Sequence, residues 1–125
     1  MTQTPYPAGG ALIDWHNGKW QVPDNPWIGC IAGDGIGSEI MQASRRVWDA
    51  AIKAAYGERR RIVWCDLPLG EAAAGQGGDA FPQTTLAALR QLRVAIKGPL
   101  TTPVGGGFRS LNVALRQTLD LYACV

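Results

Sequence analysis

The sequence has one histidine and three cysteines, and no apolar run of membrane-spanning length. Each scarcity excludes something. Cys30, Cys65 and Cys124 are odd in number and widely spaced, and none forms a CxxC pair. Buried thiols in a reducing compartment account for them best. The lone histidine, His16, reads as a surface residue beside a turn. A net charge of +2 is too small to mark a nucleic-acid binder. The only basic run, Arg59-Arg60-Arg61, reads as a solvated helix-to-strand corner. The opening MTQTPYPAGG has no basic n-region and no apolar h-region, which predicts no signal peptide. A cytoplasmic chain with no membrane and no nucleic-acid partner is expected. There are no internal repeats.

What is present is apolar residue in short, punctuated runs. At 125 residues the chain is one domain or part of one, and its 46% apolar share is ample for a core. Residues 1–26 read as a tail and a hairpin. Asn17-Gly18 suits a two-residue type I′ turn, pairing Trp15 with Trp20 and Ile13 with Val22, with His16 opposite Lys19. Residues 27–125 read as a partial α/β domain. A strand is expected at Trp27–Ala32, and the glycine turn Gly33-Asp34-Gly35-Ile36-Gly37 leads into a helix from Ser38 to Tyr56. That helix should present Ile40, Val47, Trp48, Ala51, Ile52 and Ala55 on one face, with Gly57 as its C-cap. A second strand follows at Arg61–Leu67. Gly70–Gly78 fits no regular pattern. A helix at 82–92, a strand at Arg93–Lys97, a loop at Gly98–Phe108, a helix at Ser110–Leu119 and a last strand at Leu121–Val125 complete the order. Short strands joined by helical crossovers predict a parallel sheet covered on both faces. Ligands in such sheets bind beyond the carboxyl ends of strands, where Lys97 falls.

Three segments carry candidate chemistry. The turn Gly33-x-Gly35-x-Gly37 falls short of the dinucleotide fingerprint, whose third glycine would sit at Ser38; a tight strand-to-helix turn explains it equally well. The segment from Lys97 to Pro103 lacks the GK[ST] of a P-loop. Its prolines stiffen a loop that offers one cation, Lys97, and two hydroxyls, Thr101 and Thr102. A structural turn with a surface lysine is the other reading. The helix from Ser110 is sharper. Arg109, Asn112 and Arg116 share one of its faces, and Ser110 sits where free N–H groups favour an anion. The glycines 105–107 let a ligand approach the backbone, and arginine clamps a carboxylate with two hydrogen bonds. Against this stands a solvated face with a capping serine.

The stretches NGKWQVPDNP, GDGIG, RIVWCDLPLGE and KGPLTTPVGGGFRSLNVALRQTLDLYACV carry a resemblance. From about Asn17 to Val125 the chain resembles the N-terminal part of bacterial NADP-dependent isocitrate dehydrogenases, within the β-decarboxylating dehydrogenases. Ala32 and Ser38 stand where glutamate and proline are usual, and Phe108 where isoleucine is common.

The resemblance implies that Ser110, Asn112 and Arg116 hold isocitrate carboxylates, that Lys97 is a supporting cation, and that Thr101 meets NADP. It also implies reversible phosphorylation of Ser110 in some bacterial members, where the added charge would repel substrate. The implied reaction oxidises the C2 alcohol by hydride transfer to NADP, then releases CO2 to give 2-oxoglutarate, with Mg²⁺ or Mn²⁺ polarising the C2 oxygen. A homodimer serving the tricarboxylic acid cycle and glyoxylate bypass is implied as well. In the family the metal-binding aspartates and the proton-transfer tyrosine and lysine lie beyond the stretch matched by Val125. No catalytic or metal-ligating residue is therefore assigned here. A truncated, inactive piece of the fold is the expectation, and a non-catalytic anion- or subunit-binding remnant the alternative. Polar Ser110 and Asn112 favour isocitrate over isopropylmalate, whose isopropyl group would want apolar residues at the helix start.

Overall fold

The computed structural model describes residues 6–75, 77–102 and 110–122. The hairpin forms as its turn chemistry demands. β1 (Asp14–His16) pairs antiparallel with β2 (Lys19–Gln21), in the register Trp15↔Trp20 and His16↔Lys19. Asn17 and Gly18 both take positive φ, 50° and 73°, as a type I′ turn needs. The tryptophan rings meet edge-on at 4.9 Å. The ladder ends at Asp14↔Gln21, and beyond it Ile13 is buried while Val22 is exposed.

The main sheet is parallel, with β3 (Trp27–Ile31) between β4 (Val63–Asp66) and β5 (Ala95–Lys97). α1 (Gly37–Tyr56) carries the chain from β3 to β4. α2 (Glu71–Ala74) and α3 (Gln83–Leu92) carry it back across to β5. The two crossovers run in opposite directions, so right-handed connection puts α1 and α3 on opposite faces. α4 (Leu111–Thr118) follows β5.

The α3 face holds the core. Leu86, Leu89 and Leu92 pack with Ile31, Cys65 and Leu67, and Leu100 and Leu115 join the same cluster. Gly29 lets this helix lie close. A Cβ there would sit 2.9 Å from the Ala95 methyl and 3.3 Å from Leu92.

The α1 face is different in kind. Trp64 and Asp66 point to it from β4. Arg45 of α1 bridges Asp66 at 2.9 Å and lies 5.0 Å over the Trp64 ring. Trp48 packs on Trp64 at 5.6 Å, and the Trp64 indole donates to Asp49 at 3.0 Å.

The structure corrects three expectations. Of the apolar face expected on α1, only Trp48 and Ile52 are even half-buried. Ile40 and Val47 are 48% and 67% exposed, and Ala51 and Ala55 face solvent. The helix instead rests on the line Gly37, Met41, Arg45, Trp48 and Ile52. The sheet surface beneath it is narrow and carries an aspartate, which selects arginine as its neighbour. Gly70–Gly78, which fits no sequence pattern, contains the single-turn helix α2. The fourth strand expected at Leu121–Val125 is not formed at Leu121 or Tyr122, where Asp120 turns the chain with φ 51°. Residues 123–125 lie outside the described residues. Gly57 does cap α1, with φ 63° and its N–H bonded to Lys53 O at 2.8 Å. The arginine run is the corner expected of it. Arg60 bridges Asp24 at 2.9 Å and lies 4.9 Å over Tyr56.

Cys30 and Cys65 are buried and free. Burial pushes both thiols up, Cys65 to about 11, and Asp66 adds to each shift while Arg45 opposes it. Each thiol therefore holds its proton more tightly in the folded than in the unfolded chain. That contribution to stability is full below the ordinary thiol value of 9.0 and is lost as pH climbs toward about 11. Urea midpoints should be level from about pH 7 to about pH 8 and fall above about pH 9. Cys65→Ala should flatten the fall, and an equal fall in that variant would contradict the assignment.

Candidate functional site

At the carboxyl ends of the strands, three loops are knitted together by one buried side chain. Asp34, 5% exposed, follows β3. One carboxylate oxygen accepts the Glu71 N–H at 2.9 Å, at the start of α2. The other accepts the Thr101 N–H at 2.8 Å, in the loop after β5. The Asp34 N–H itself donates to Pro99 O at 2.7 Å, and the Gly98 N–H to Ile31 O at 2.7 Å. The ends of β3, β4 and β5 are thus joined through charge-assisted and backbone hydrogen bonds.

This closeness explains the glycines. A Cβ on Gly33 would stand 2.1 Å from Pro99 O, and one on Gly98 would stand 2.0 Å from Ala32 O. A Cβ on Gly70 would meet the Asp34 carboxylate at 2.8 Å. The sheet's topological switch point lies between β3 and β5, and protein backbone fills it. Gly33 and Gly37 serve packing here, which answers the dinucleotide reading in favour of a tight turn. Sequence reasoning passed over Asp34. Its signal was there: an acid set between two turn glycines at a strand end, where free backbone N–H groups gather.

The residues singled out from the sequence converge beside this knot. Lys97 ends β5, half-buried, and its ammonium donates to Gly98 O at 2.6 Å. Burial pushes its pKa down. Arg116 pushes it further the same way, and Asp34 opposes. Arg116 lies in the last turn of α4, exposed. Neither cation forms an ion pair among the described residues.

Asn112, half-buried in the first turn of α4, donates to Leu100 O at 3.4 Å. Ser110 stands at the N-cap position and makes no capping hydrogen bond. Its hydroxyl instead accepts from Thr102 at 3.3 Å. Thr101 offers an exposed side chain at the lip, its N–H being held by Asp34. Pro103, the glycines 105–107, Phe108 and Arg109 lie outside the described residues, as does Cys124.

Lys97 at the strand end, Arg116 in the last turn of α4, and the Ser110 and Thr102 hydroxyls with the Asn112 amide at its start are groups of the kind that hold carboxylates. No group of three or more His, Cys, Asp or Glu among the described residues can hold a metal ion. Asp34 spends both oxygens on backbone N–H groups. A cavity of about 710 Å³ opens beside the ends of β3 and β4, lined among others by Tyr6, Cys30, Gly33, Asp66, Leu69 and Thr84. Its one charged group, Asp66, is paired with Arg45, and none of Lys97, Thr101, Ser110, Asn112 and Arg116 lines it.

The geometry defines a parallel α/β protein that gathers Lys97, Thr101, Ser110 and Asn112 near its strand ends. The sequence profile of the isocitrate/isopropylmalate dehydrogenase family matches residues 27–125, and the chain belongs to that family. It is 53% identical over 119 residues to an isocitrate dehydrogenase [NADP] of Caldococcus noboribetus, covering 95% of this chain and 28% of that protein. The isocitrate dehydrogenase [NADP] of a Nostoc strain is also 53% identical, over 121 residues, 95% of this chain and 26% of its own length. The chain thus spans about a quarter of the length of these relatives. A solved β-decarboxylating dehydrogenase of Thermococcus kodakarensis, in its apo form, superposes with a TM-score of 0.60. That match has 30% identity over 77% of this chain and 27% of the other. Among the described residues no helix is long and apolar enough to cross a membrane.

Gly98→Ala tests the interlock of the two loops. The added methyl has only the Ala32 carbonyl to displace, so the variant should lose about 2–3 kcal/mol of stability, the upper range for overpacking. Ser38→Ala, at an exposed site, should change stability by less than about 0.5 kcal/mol. Urea melts of both variants decide it, and a Gly98→Ala midpoint equal to that of the parent would contradict the packing.

Proposed function

We propose that this chain supplies one wall of an isocitrate site in an NADP-dependent isocitrate dehydrogenase. The observation that carries the reading is a pair of cations with no ion pair among the described residues, Lys97 at the end of β5 and Arg116 on α4, the helix that Ser110 and Asn112 open. Isocitrate brings three carboxylates and a C2 hydroxyl. Arg116 takes one carboxylate through its planar fork, and Lys97 adds a point charge from the strand end. Ser110 and Asn112 donate to a second carboxylate close to the free N–H groups of the first helical turn. These residues bind and orient; none of them moves a proton or breaks a bond. Polar Ser110 and Asn112 set the preference for isocitrate over an isopropyl-bearing substrate.

The chemistry that bound NADP would supply is acceptance of a hydride from C2, with loss of CO2 then giving 2-oxoglutarate. The described residues offer the coenzyme one contact, the exposed Thr101 side chain, and no phosphate cradle. They do not fit Mg²⁺ or Mn²⁺, so no step is routed through a metal on this chain, and these residues alone do not complete the reaction. A cytoplasmic homodimer goes with the same reading. A phosphate on Ser110 would stand where a substrate carboxylate belongs and would repel it.

Ser110 decides between binding and mere capping. Its hydroxyl makes no cap bond, so Ser110→Ala should leave stability within about 0.5 kcal/mol of the parent. It should weaken isocitrate binding by about 1 kcal/mol, one hydrogen bond. Ser110→Asp would set a fixed charge about 4 Å from a substrate carboxylate, a repulsion of about 1–4 kcal/mol depending on local dielectric. Affinity should fall by roughly tenfold to a thousandfold. Calorimetric titration of isocitrate into each variant reads this directly. Unchanged affinity in Ser110→Asp would remove Ser110 from the substrate site.

A further inference from the structure

We infer that Asp34 is a positioning residue for this anion site, holding the segment Leu100–Thr102 on which the start of α4 is seated. The inference rests on the isocitrate reading for its ligand and on the geometry alone for its linkage. α4 meets that segment at two points. Asn112 donates to Leu100 O at 3.4 Å, and Thr102 donates to Ser110 at 3.3 Å. Both substrate-facing groups of the helix start therefore take their place from Leu100–Thr102. That segment is in turn held by the Thr101 N–H to Asp34 bond of 2.8 Å.

The second carboxylate oxygen is fixed by Glu71, and Gly70 closes over the carboxylate with no room for a methyl. The carboxylate therefore has one position. Lys97 shares the same loop and feels the same charge. Asp34 touches no substrate in this arrangement; it acts through Thr101 and, one residue to either side, through Asn112 and Ser110.

An amide in place of the carboxylate can accept from only one of the two N–H groups and presents its own N–H to the other. Asp34→Asn should therefore release one loop end while leaving the strand pairing intact. Two measurements on the 125-residue chain test it, both made well below each variant's melting midpoint. In the parent, amide exchange at Thr101 and Glu71 should be slow although both residues are exposed. In Asp34→Asn at least one of them should exchange at least tenfold faster, while Gly98, bonded to Ile31, keeps its protection. Isocitrate affinity should fall at least tenfold in the same variant, a change that a residue serving only global stability would not produce in folded protein.

A Thr101 amide exchanging freely in the parent would overturn the inference, and so would parent-like isocitrate affinity in Asp34→Asn. If the parent itself binds no isocitrate, the substrate reading falls. The exchange rates then still decide whether Asp34 holds the loop. Should Asp34→Asn not fold, the parent's Thr101 exchange decides alone.

Discussion

The buried carboxylate of Asp34 is the constraint on which the loops at the strand ends of this molecule depend. A carboxylate removed from water is costly unless its lone pairs are met by donors. Here the donors are two backbone N–H groups from loops far apart in sequence, Glu71 and Thr101. Meeting that demand draws the ends of β3, β4 and β5 into contact. The close approach then dictates glycine at 33, 70 and 98, where any side chain would strike backbone or the carboxylate itself.

The two faces of the sheet solve different problems. The α3 face is dry and apolar, with Leu86 and Leu92 fully buried over Ile31 and Cys65. The α1 face packs an arginine and two tryptophans over an aspartate, and leaves Ile40 and Val47 in solvent. The first face carries the buried cluster of the sheet; the second leaves much of its helix in solvent. The loop after β5 and the helix α4 belong with the first face, since Leu100 and Leu115 both enter the α3 cluster.

Much of this was legible in the sequence, for physical reasons. Asn17-Gly18 admits few turns other than the one formed, and the alternation of short strands with helices permits little but a parallel sheet. Lys97, Ser110, Asn112 and Arg116 were singled out because charge and hydroxyl near a helix start carry a chemical meaning that does not depend on tertiary detail. What was missed needed the third dimension. The periodicity of α1 shows an apolar stripe but not how narrow the sheet beneath it is, so Val47 looked like core and Arg45 drew no notice. A single turn such as α2 has no period to detect. Asp34 looked like turn punctuation because its partners lie 37 and 67 residues away.

The central claim is that Lys97, the loop after β5 and α4, and not the arginine corner or the cavity beside β3 and β4, receive a tricarboxylate. Amide and side-chain chemical shifts recorded while isocitrate is added would place it. The account requires the shifts to concentrate at Lys97, Thr101, Ser110, Asn112 and Arg116, with Arg59–Arg61 and the cavity residues Thr84 and Leu69 unmoved. Shifts centred on the arginine corner or the cavity, or none at saturating isocitrate, would contradict it.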